Sequence, residues 1–157
     1  MESDDIGQER IETILSGVAG HYFVAAELSR RGLIATTTVR NTRGVDVLVA
    51  SADGTKSLSI QVKTNQTSRR KWMLSKTDET NRGKGFFYVF VRLNGAQGTP
   101  MYHVVKSAVV AKAIADSDRK WHSSSKRDGT PRKKTPMRIF EDPNDKYLDA
   151  WDSLGLT

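Results

Sequence analysis

The chain of 157 residues contains no cysteine, only four prolines and only three histidines. The absence of cysteine excludes disulfides, thiolate metal sites and cysteine nucleophiles. No apolar run approaches the roughly 20 residues that a membrane-spanning helix needs. The first five residues are acidic in character and lack the basic and apolar regions of a signal peptide. We therefore expect a cytoplasmic protein without a membrane partner.

Positive charge is concentrated in the middle of the sequence. The formal net charge is +7, but residues 1–27 carry −5 and residues 141–157 carry −4, which leaves +16 for residues 28–140. A region this basic predicts a surface that binds a polyanion, most often nucleic acid. A basic surface that serves only solubility is the alternative, because charge alone does not define function.

Hydrophobic periodicity predicts an α/β protein with a single domain over residues 1–157. Apolar residues at helical spacing predict helix over residues 6–31, which Gly17 and Gly20 could divide into two helices. β-Branched and aromatic runs predict five strands of a mixed sheet, at residues 33–41, 44–50, 57–64, 86–93 and 101–105. Asp53 and Gly54 between the second and third runs indicate a hairpin.

The remaining part of the chain is predicted to begin with a helix, from Ser107 as its N-cap to about Trp121. A loop follows over residues 122–136, rich in Ser, Lys, Arg, Gly and Pro, which we expect to be mobile in the free protein. An amphipathic pattern predicts a C-terminal helix at about residues 144–155.

A polar cluster interrupts the predicted hairpin. Asp46 is the one acid in an otherwise apolar strand, where an unpaired carboxylate is costly. On the next strand, the alternation of side chains places Gln61 and Lys63 on one face, opposite Ile60 and Val62. An acid on one strand is therefore expected to lie near an amide and an amine on its neighbour.

A helix followed by a strand with Asp46, a hairpin and the run Gln61-Val62-Lys63 resembles the PD-(D/E)xK nuclease superfamily, which includes Holliday junction resolvases and many restriction endonucleases. The resemblance covers roughly residues 17–110 and departs from the family pattern at Gln61, where an acid is usual. It implies a restriction-endonuclease-like mixed central β-sheet of about five strands flanked by helices. It also implies a Mg²⁺-dependent or Mn²⁺-dependent deoxyribonuclease that acts on DNA as a homodimer.

Carried over by position, the resemblance makes Asp46 the first metal-binding acid, Gln61 the second ligand and Lys63 the catalytic lysine. The backbone carbonyl of Val62 is implied as a further ligand, and Glu27 as the helical glutamate that some members add. Hard divalent cations take oxygen ligands of these kinds, and Gln61 offers an oxygen without charge. Lys63 would orient or deprotonate the water, or stabilise the transition state.

Simpler interpretations exist for the same residues. Asp46 and Lys63 could neutralise each other as a partly buried ion pair, and Glu27 could pair with Arg30 or Arg31 at helical spacing. The histidines show no metal-ligand spacing. His21 could approach the site from the first helix, although a lone helical histidine is more often structural.

Two basic segments are candidates for contacts with nucleic acid. The first follows the motif strand and mixes cations with an aromatic residue that could stack on a base; it consists of Arg69, Arg70, Lys71 and Trp72. The alternative for Trp72 is burial in the core. The second lies in the 122–136 loop, where flexible cations could clamp the phosphate backbone: Lys126, Arg127, Arg132, Lys133 and Lys134. Such runs are often only solubilising.

Three functional hypotheses follow from these observations. The first is a metal-dependent endonuclease-like domain that hydrolyses DNA. The second is a catalytically inactive fold relative that binds nucleic acid or a protein partner, which the neutral Gln61 favours. The third is a small interaction protein in which the motif has no catalytic role.

Overall fold

The fold is described from a computed structural model, which covers residues 12–39, 44–81 and 83–157. In chain order, its elements are helix α1 (Thr13–Arg30), strands β1 (Ile34–Thr37), β2 (Val47–Ala50), β3 (Ser57–Asn65) and β4 (Lys71–Ser75), a first 3₁₀ helix (Lys76–Thr80), strands β5 (Phe86–Arg92) and β6 (Met101–Lys106), helix α2 (Ser107–Ser123), strand β7 (Met137–Glu141) and a second 3₁₀ helix (Trp151–Leu154).

Five of the strands form the central sheet, in the order β1-β2-β3-β5-β6. Strands β3 and β5 run parallel, whereas the other neighbours are antiparallel, so the sheet is mixed. Strand β5 lies inside the sheet and is buried along almost its whole length, because other elements cover both faces. Burial on both faces explains its unbroken apolar sequence. The predicted α/β class and mixed sheet of about five strands are confirmed.

One apolar core lies on each face of the sheet. On the first face, Val24 and Leu28 of α1 pack on β2, β3 and β5, together with Trp151 and Leu154 of the C-terminal segment. On the second face, α2 packs on β5 and β6 beside a separate two-stranded sheet of β4 and β7. Trp72 of β4 lies in this second core. The central sheet is thus enclosed by α1 on one side and by α2 with β4 and β7 on the other.

Helix α1 approaches β3 closely at Gly20. A Cβ atom added at this position would overlap the side-chain hydroxyl of Thr64 on β3. Only glycine allows the helix axis to come this near the strand. The contact fixes which residues of α1 lie over the middle of β3, and His21 is the next residue along the helix.

Three sequence expectations about local structure are corrected. The first helix is not divided at Gly17 or Gly20, and runs unbroken from Thr13 to Arg30; residues 6–11 of the prediction lie outside the described residues. Strands β4 and β7 were not expected, because each is short and gains its partner from a distant part of the chain. Ser107 is the first residue of α2 rather than its N-cap, and its hydroxyl donates to the carbonyl of Gly83 (3.0 Å).

The predicted C-terminal helix at 144–155 is wrong. Apart from the short 3₁₀ helix at its end, this segment consists of turns and one isolated bridge between Leu148 and His103 of β6. The apolar residues there, such as Trp151 and Leu154, are buried as predicted for a packed segment, but without α-helical hydrogen bonding. Within the described part of the chain, no helix is long and apolar enough to cross a bilayer.

Candidate active site

The candidate site lies where β2 and β3 part. Strand β2 begins at Val47, which is paired with Ile60, whereas β3 continues beyond this pair to Asn65 with β5 as its only described strand neighbour. Asp46 occupies the point of divergence. Its backbone N–H donates to the carbonyl of Ile60 (2.8 Å), and its carboxylate Oδ2 accepts the N–H of Val62 (2.7 Å).

The carboxylate of Asp46 therefore takes the place of a neighbouring strand at Val62. This residue separates Gln61 from Lys63, so one hydrogen bond fixes the acid beside both motif residues. The N–H and C=O groups of one strand residue point toward the same neighbour. The carbonyl of Val62 is thus expected on the same open edge as Asp46, as the predicted metal site requires.

Gln61 and Lys63 face a cleft of about 560 Å³. Its opposite wall is polar and consists of the segment around the first 3₁₀ helix, with Ser75, Thr77, Asp78, Thr80 and Asn81. Lys63 is half-buried in this cleft. Among the described residues, it forms no ion pair with Asp46, whose carboxylate lies 3.7 Å from Nε2 of His21 instead. The simple Asp46–Lys63 pair considered from the sequence is therefore absent from this part of the chain.

The side-chain oxygen of Gln61 provides a test of whether the site suits a cation. Oε1 is buried and has no hydrogen-bond donor among the described residues. A buried acceptor without a partner costs about 1–3 kcal/mol, so native structures rarely leave one unused. A divalent cation is a suitable partner for such an oxygen. Asp46, Gln61 and the Val62 carbonyl therefore fit a metal ion in the chemistry of their donors.

His21 is the side chain that α1 brings to this group. Its Nε2 lies 3.7 Å from Oδ2 of Asp46, and the two side chains are 34% and 23% exposed. The sequence had raised this approach but favoured a structural histidine. The available signal was the adjacent Gly20, which permits the close contact between helix and strand.

Glu27 pairs with the basic end of α1 and is not brought to Asp46, so this structure gives no support to its predicted role as a metal ligand. Its carboxylate accepts a hydrogen bond from Arg31 (2.9 Å) and lies 3.5 Å from Arg30, the pairing considered as the alternative. Glu27 is six residues beyond His21, which places it about 9 Å further along the helix. The described residues contain no group of three or more His, Asp or Glu side chains that could hold a metal.

The negative charge of Glu27 acts instead near Tyr102 of β6. Burial, and secondarily this carboxylate, raise the pKa of Tyr102 to about 12. The glutamate thus belongs to the contact between the end of α1 and the C-terminal segment.

The polar wall of the cleft is held to the sheet by Asp78. One carboxylate oxygen accepts the hydroxyl of Tyr88 on β5 (2.7 Å), while the other accepts the N–H (2.8 Å) and hydroxyl (3.0 Å) of Ser75. Burial, together with the hydrogen bond to Asp78, raises the pKa of Tyr88 above its ordinary value. The distance between the two walls is therefore fixed by a buried hydrogen-bond network.

Most of the first predicted nucleic-acid segment has a structural role. Trp72 is 2% exposed and donates its indole N–H to the carbonyl of Val91 (3.0 Å), so stacking on a base is excluded in this structure. Arg70 forms two hydrogen bonds with Asp145 (2.7 and 2.6 Å), and Lys71 lies 3.3 Å from Glu141. Arg69 is exposed.

The second basic segment is largely exposed. Lys126, Arg127, Lys133 and Lys134 are open to solvent, whereas the guanidinium of Arg132 lies 3.7 Å from the ring centre of Trp121. The segment ends at Pro136, whose carbonyl accepts the N–H of Lys76 (2.7 Å) at the start of the first 3₁₀ helix. The basic loop therefore joins the polar wall of the cleft.

Comparison of the sequence with protein-family models and with curated proteins gives no match. Comparison with solved structures gives a bacterial homing endonuclease, at 12% identity and a TM-score of 0.54, covering 93% of this chain and 94% of that one. A Holliday junction resolvase from the archaeal hyperthermophile Archaeoglobus fulgidus also matches, at 12% identity and a TM-score of 0.47, over 80% of this chain and 84% of that one. The restriction-endonuclease-like fold implied by the sequence resemblance is confirmed.

Proposed function

We propose that this chain is a divalent-metal-dependent endonuclease-like domain that hydrolyses phosphodiester bonds in DNA. Asp46, Gln61 and the carbonyl of Val62 form the metal site, and Lys63 is the catalytic lysine. The observation that supports this most directly is the hydrogen bond from Val62 N–H to Asp46, because it places the acid beside Gln61 and Lys63. The homing endonuclease of similar fold is a nuclease by name, which agrees with the proposed reaction class.

Hydrolysis of a phosphodiester needs a nucleophilic water and neutralisation of the charge that builds up on the phosphate. A divalent cation such as Mg²⁺ or Mn²⁺ supplies that charge neutralisation and acidifies water. Asp46 contributes the negative charge that retains the cation, and Gln61 contributes a neutral oxygen. Lys63 lines the cleft, and its ammonium group would orient the attacking water or stabilise the negative phosphate oxygens.

We infer that the DNA strand enters the cleft along its polar wall and is held there by the basic loop. The loop reaches this wall through the hydrogen bond between Pro136 and Lys76. Exposed cations of the loop are available to phosphates, whereas Arg70 and Lys71 are already paired with acids. Backbone contacts of this kind give binding that is independent of sequence and strongly dependent on salt.

One observation favours a second function. Gln61 contributes no charge, so the site retains a cation with a single carboxylate, Asp46, among the described residues. A fold relative that binds DNA or a protein partner without cleavage would keep the basic loop and would not need metal. The neutral glutamine is therefore the feature that distinguishes the two functions experimentally.

The test is cleavage of supercoiled plasmid, linear duplex and branched DNA with Mg²⁺ or Mn²⁺. Wild type is compared with Asp46→Ala and Lys63→Ala, and Lys56→Ala serves as the matched control. Lys56 lies in the hairpin turn and donates to the carbonyl of Gly155 (3.5 Å), far from the open edge of β3. We expect metal-dependent cleavage by wild type and the control, and none by the two site variants.

Equal inactivity of all four proteins, with retained salt-dependent DNA binding, would establish the second function instead. Cleavage that survives in Lys63→Ala would contradict the role given to that lysine. The homodimer and the cytoplasmic location stay predictions of the sequence, and light scattering of the purified protein measures the first.

A further inference from the structure

We propose that His21 is a metal ligand, and that its nitrogen makes the site select Mn²⁺ over Mg²⁺. This inference rests on the metal site of the proposed function and names the residue that completes it. It starts from the position of α1. Because a Cβ at Gly20 would overlap Thr64, the helix is held against β3 at the residue that precedes His21.

The distance between His21 and Asp46 is too long for a direct hydrogen bond but lies within the reach of one shared ion. Nε2 and Oδ2 are 3.7 Å apart, which is too long for a hydrogen bond. Two donor atoms that each lie about 2.1 Å from one cation are at most about 4.2 Å apart, so this separation fits a shared ion. Oδ2 of Asp46 is already oriented by the N–H of Val62 (2.7 Å).

Gln61, which faces the cleft beside this edge of β3, offers a further oxygen to a cation. Oε1 of Gln61 is buried without a hydrogen-bond partner among the described residues, and Gln61 directly precedes Val62. His21, Asp46 and Gln61 together would give one imidazole nitrogen and two kinds of oxygen, with a single negative charge. Glu27, the carboxylate of α1 that could have supplied an oxygen, is occupied by Arg30 and Arg31 instead.

This donor set discriminates between divalent cations. Mg²⁺ is a hard ion that prefers oxygen ligands and gives up its water shell reluctantly. Imidazole binds divalent transition metals more favourably, and affinity rises from Mn²⁺ onward along the first row. A site with one carboxylate and one imidazole therefore loses more Mg²⁺ affinity than Mn²⁺ affinity relative to a site with two carboxylates.

The test measures Mn²⁺ binding to the full chain by electron paramagnetic resonance, with Mg²⁺ affinity obtained by competition. Pulsed measurements on bound Mn²⁺ detect coupling to ¹⁴N of a ligating imidazole. The variants are His21→Ala and His21→Glu, with His122→Ala as the matched control. His122 lies on α2, on the opposite side of the central sheet from α1, and faces Asp118 (3.3 Å). His21 is one-third exposed, so its substitution leaves the cores intact.

We expect wild type and the control to bind Mn²⁺ at least about tenfold more tightly than Mg²⁺, with a ¹⁴N coupling. His21→Ala should weaken Mn²⁺ binding at least about tenfold and abolish that coupling. His21→Glu should also abolish the coupling, and should shift the preference toward Mg²⁺ because a carboxylate replaces the nitrogen. Unchanged Mn²⁺ affinity and coupling in His21→Ala would overturn the inference.

The cleavage assay keeps this inference separate from the proposed function. If wild type binds Mn²⁺ with ¹⁴N coupling but cleaves no DNA, His21 is supported as a ligand and the proposed nuclease activity is refuted. If wild type cleaves DNA and His21→Ala keeps the same preference for Mn²⁺ over Mg²⁺, the nuclease activity is supported and the role of His21 as a ligand is refuted. Absence of both metal binding and cleavage in wild type overturns the two together.

Discussion

Two glycines on α1 permit a matched test of how the helix is held against the sheet. Nothing lies within 4 Å of a Cβ added at Gly17, whereas a Cβ at Gly20 would overlap the hydroxyl of Thr64. Both changes to alanine gain about 0.5–1 kcal/mol of helix propensity, because glycine loses more backbone entropy on folding. Overpacking at Gly20 costs about 1–3 kcal/mol, since Thr64 is a short, branched side chain on a strand and cannot rotate away.

The shared propensity gain cancels when the two variants are compared. Gly17→Ala should stabilise the protein, and Gly20→Ala should be less stable than Gly17→Ala by the overlap alone, about 1–3 kcal/mol. Urea unfolding followed by circular dichroism measures both values. Gly20→Ala should also weaken Mn²⁺ binding if His21 is a ligand, because displacement of the helix moves the imidazole of His21 away from Asp46.

Thr64 supplies a second arm of this experiment. Its Oγ1 is buried without a hydrogen-bond partner among the described residues, so Thr64→Ala removes an unsatisfied group together with the overlap. Combined with Gly20→Ala, it should restore at least about 1 kcal/mol beyond additivity, as expected for residues in direct contact. Equal stability of Gly17→Ala and Gly20→Ala would refute the close approach and, with it, the reason for the position of His21.

Two further predictions concern pH and salt. Burial lowers the pKa of His103 in the folded protein, so the unfolded chain binds more protons once the pH falls below the ordinary value of about 6.5. The free energy of unfolding should therefore fall between pH 7.5 and 5.5, and the folded protein should show a neutral His103 ring by NMR at pH 6; a stability that rises on acidification would contradict this. Replacement of Lys133 and Lys134 by glutamine should reduce the slope of log K for DNA against log salt by about two, with no loss of thermal stability, whereas Lys56→Gln should change neither.

A polar network that is buried at Arg92 and His103 extends to Arg70 at the surface. Arg92 donates to Nε2 of His103 (3.2 Å) and to Asp145 (3.3 Å), while Nδ1 of His103 lies 2.7 Å from Asp142. Arg70 binds Asp145 from the other side through two hydrogen bonds. The contacts of Arg92, His103 and Asp142 are buried and costly to break, whereas the pair of Arg70 and Asp145 is partly exposed and contributes less. The network fixes the C-terminal segment to β5 and β6, a role that an α-helix at 144–155 had been expected to fill by apolar packing.

Local sequence patterns by themselves predicted the central sheet and the core of the site. Alternation in β3 placed Gln61 and Lys63 on one face, and the lone acid Asp46 was expected beside them on the neighbouring strand. The structure places Asp46 one residue before β2, where its carboxylate accepts the N–H of Val62. These features depend on residues that are close together in the chain, so they can be predicted from the alternation of apolar and polar residues.

Tertiary packing alone decided the remaining features, because each depends on residues far apart in the sequence. Trp72 is buried because β4 pairs with β7, and the local sequence of neither short strand predicts that pairing. The same holds for α1. The sequence left both His21 and Glu27 as side chains that could approach Asp46, and the contact between Gly20 and Thr64 brings His21 to it. Polar side chains lie on several sides of a helix, and the strand packed against the helix determines which of them lies near Asp46.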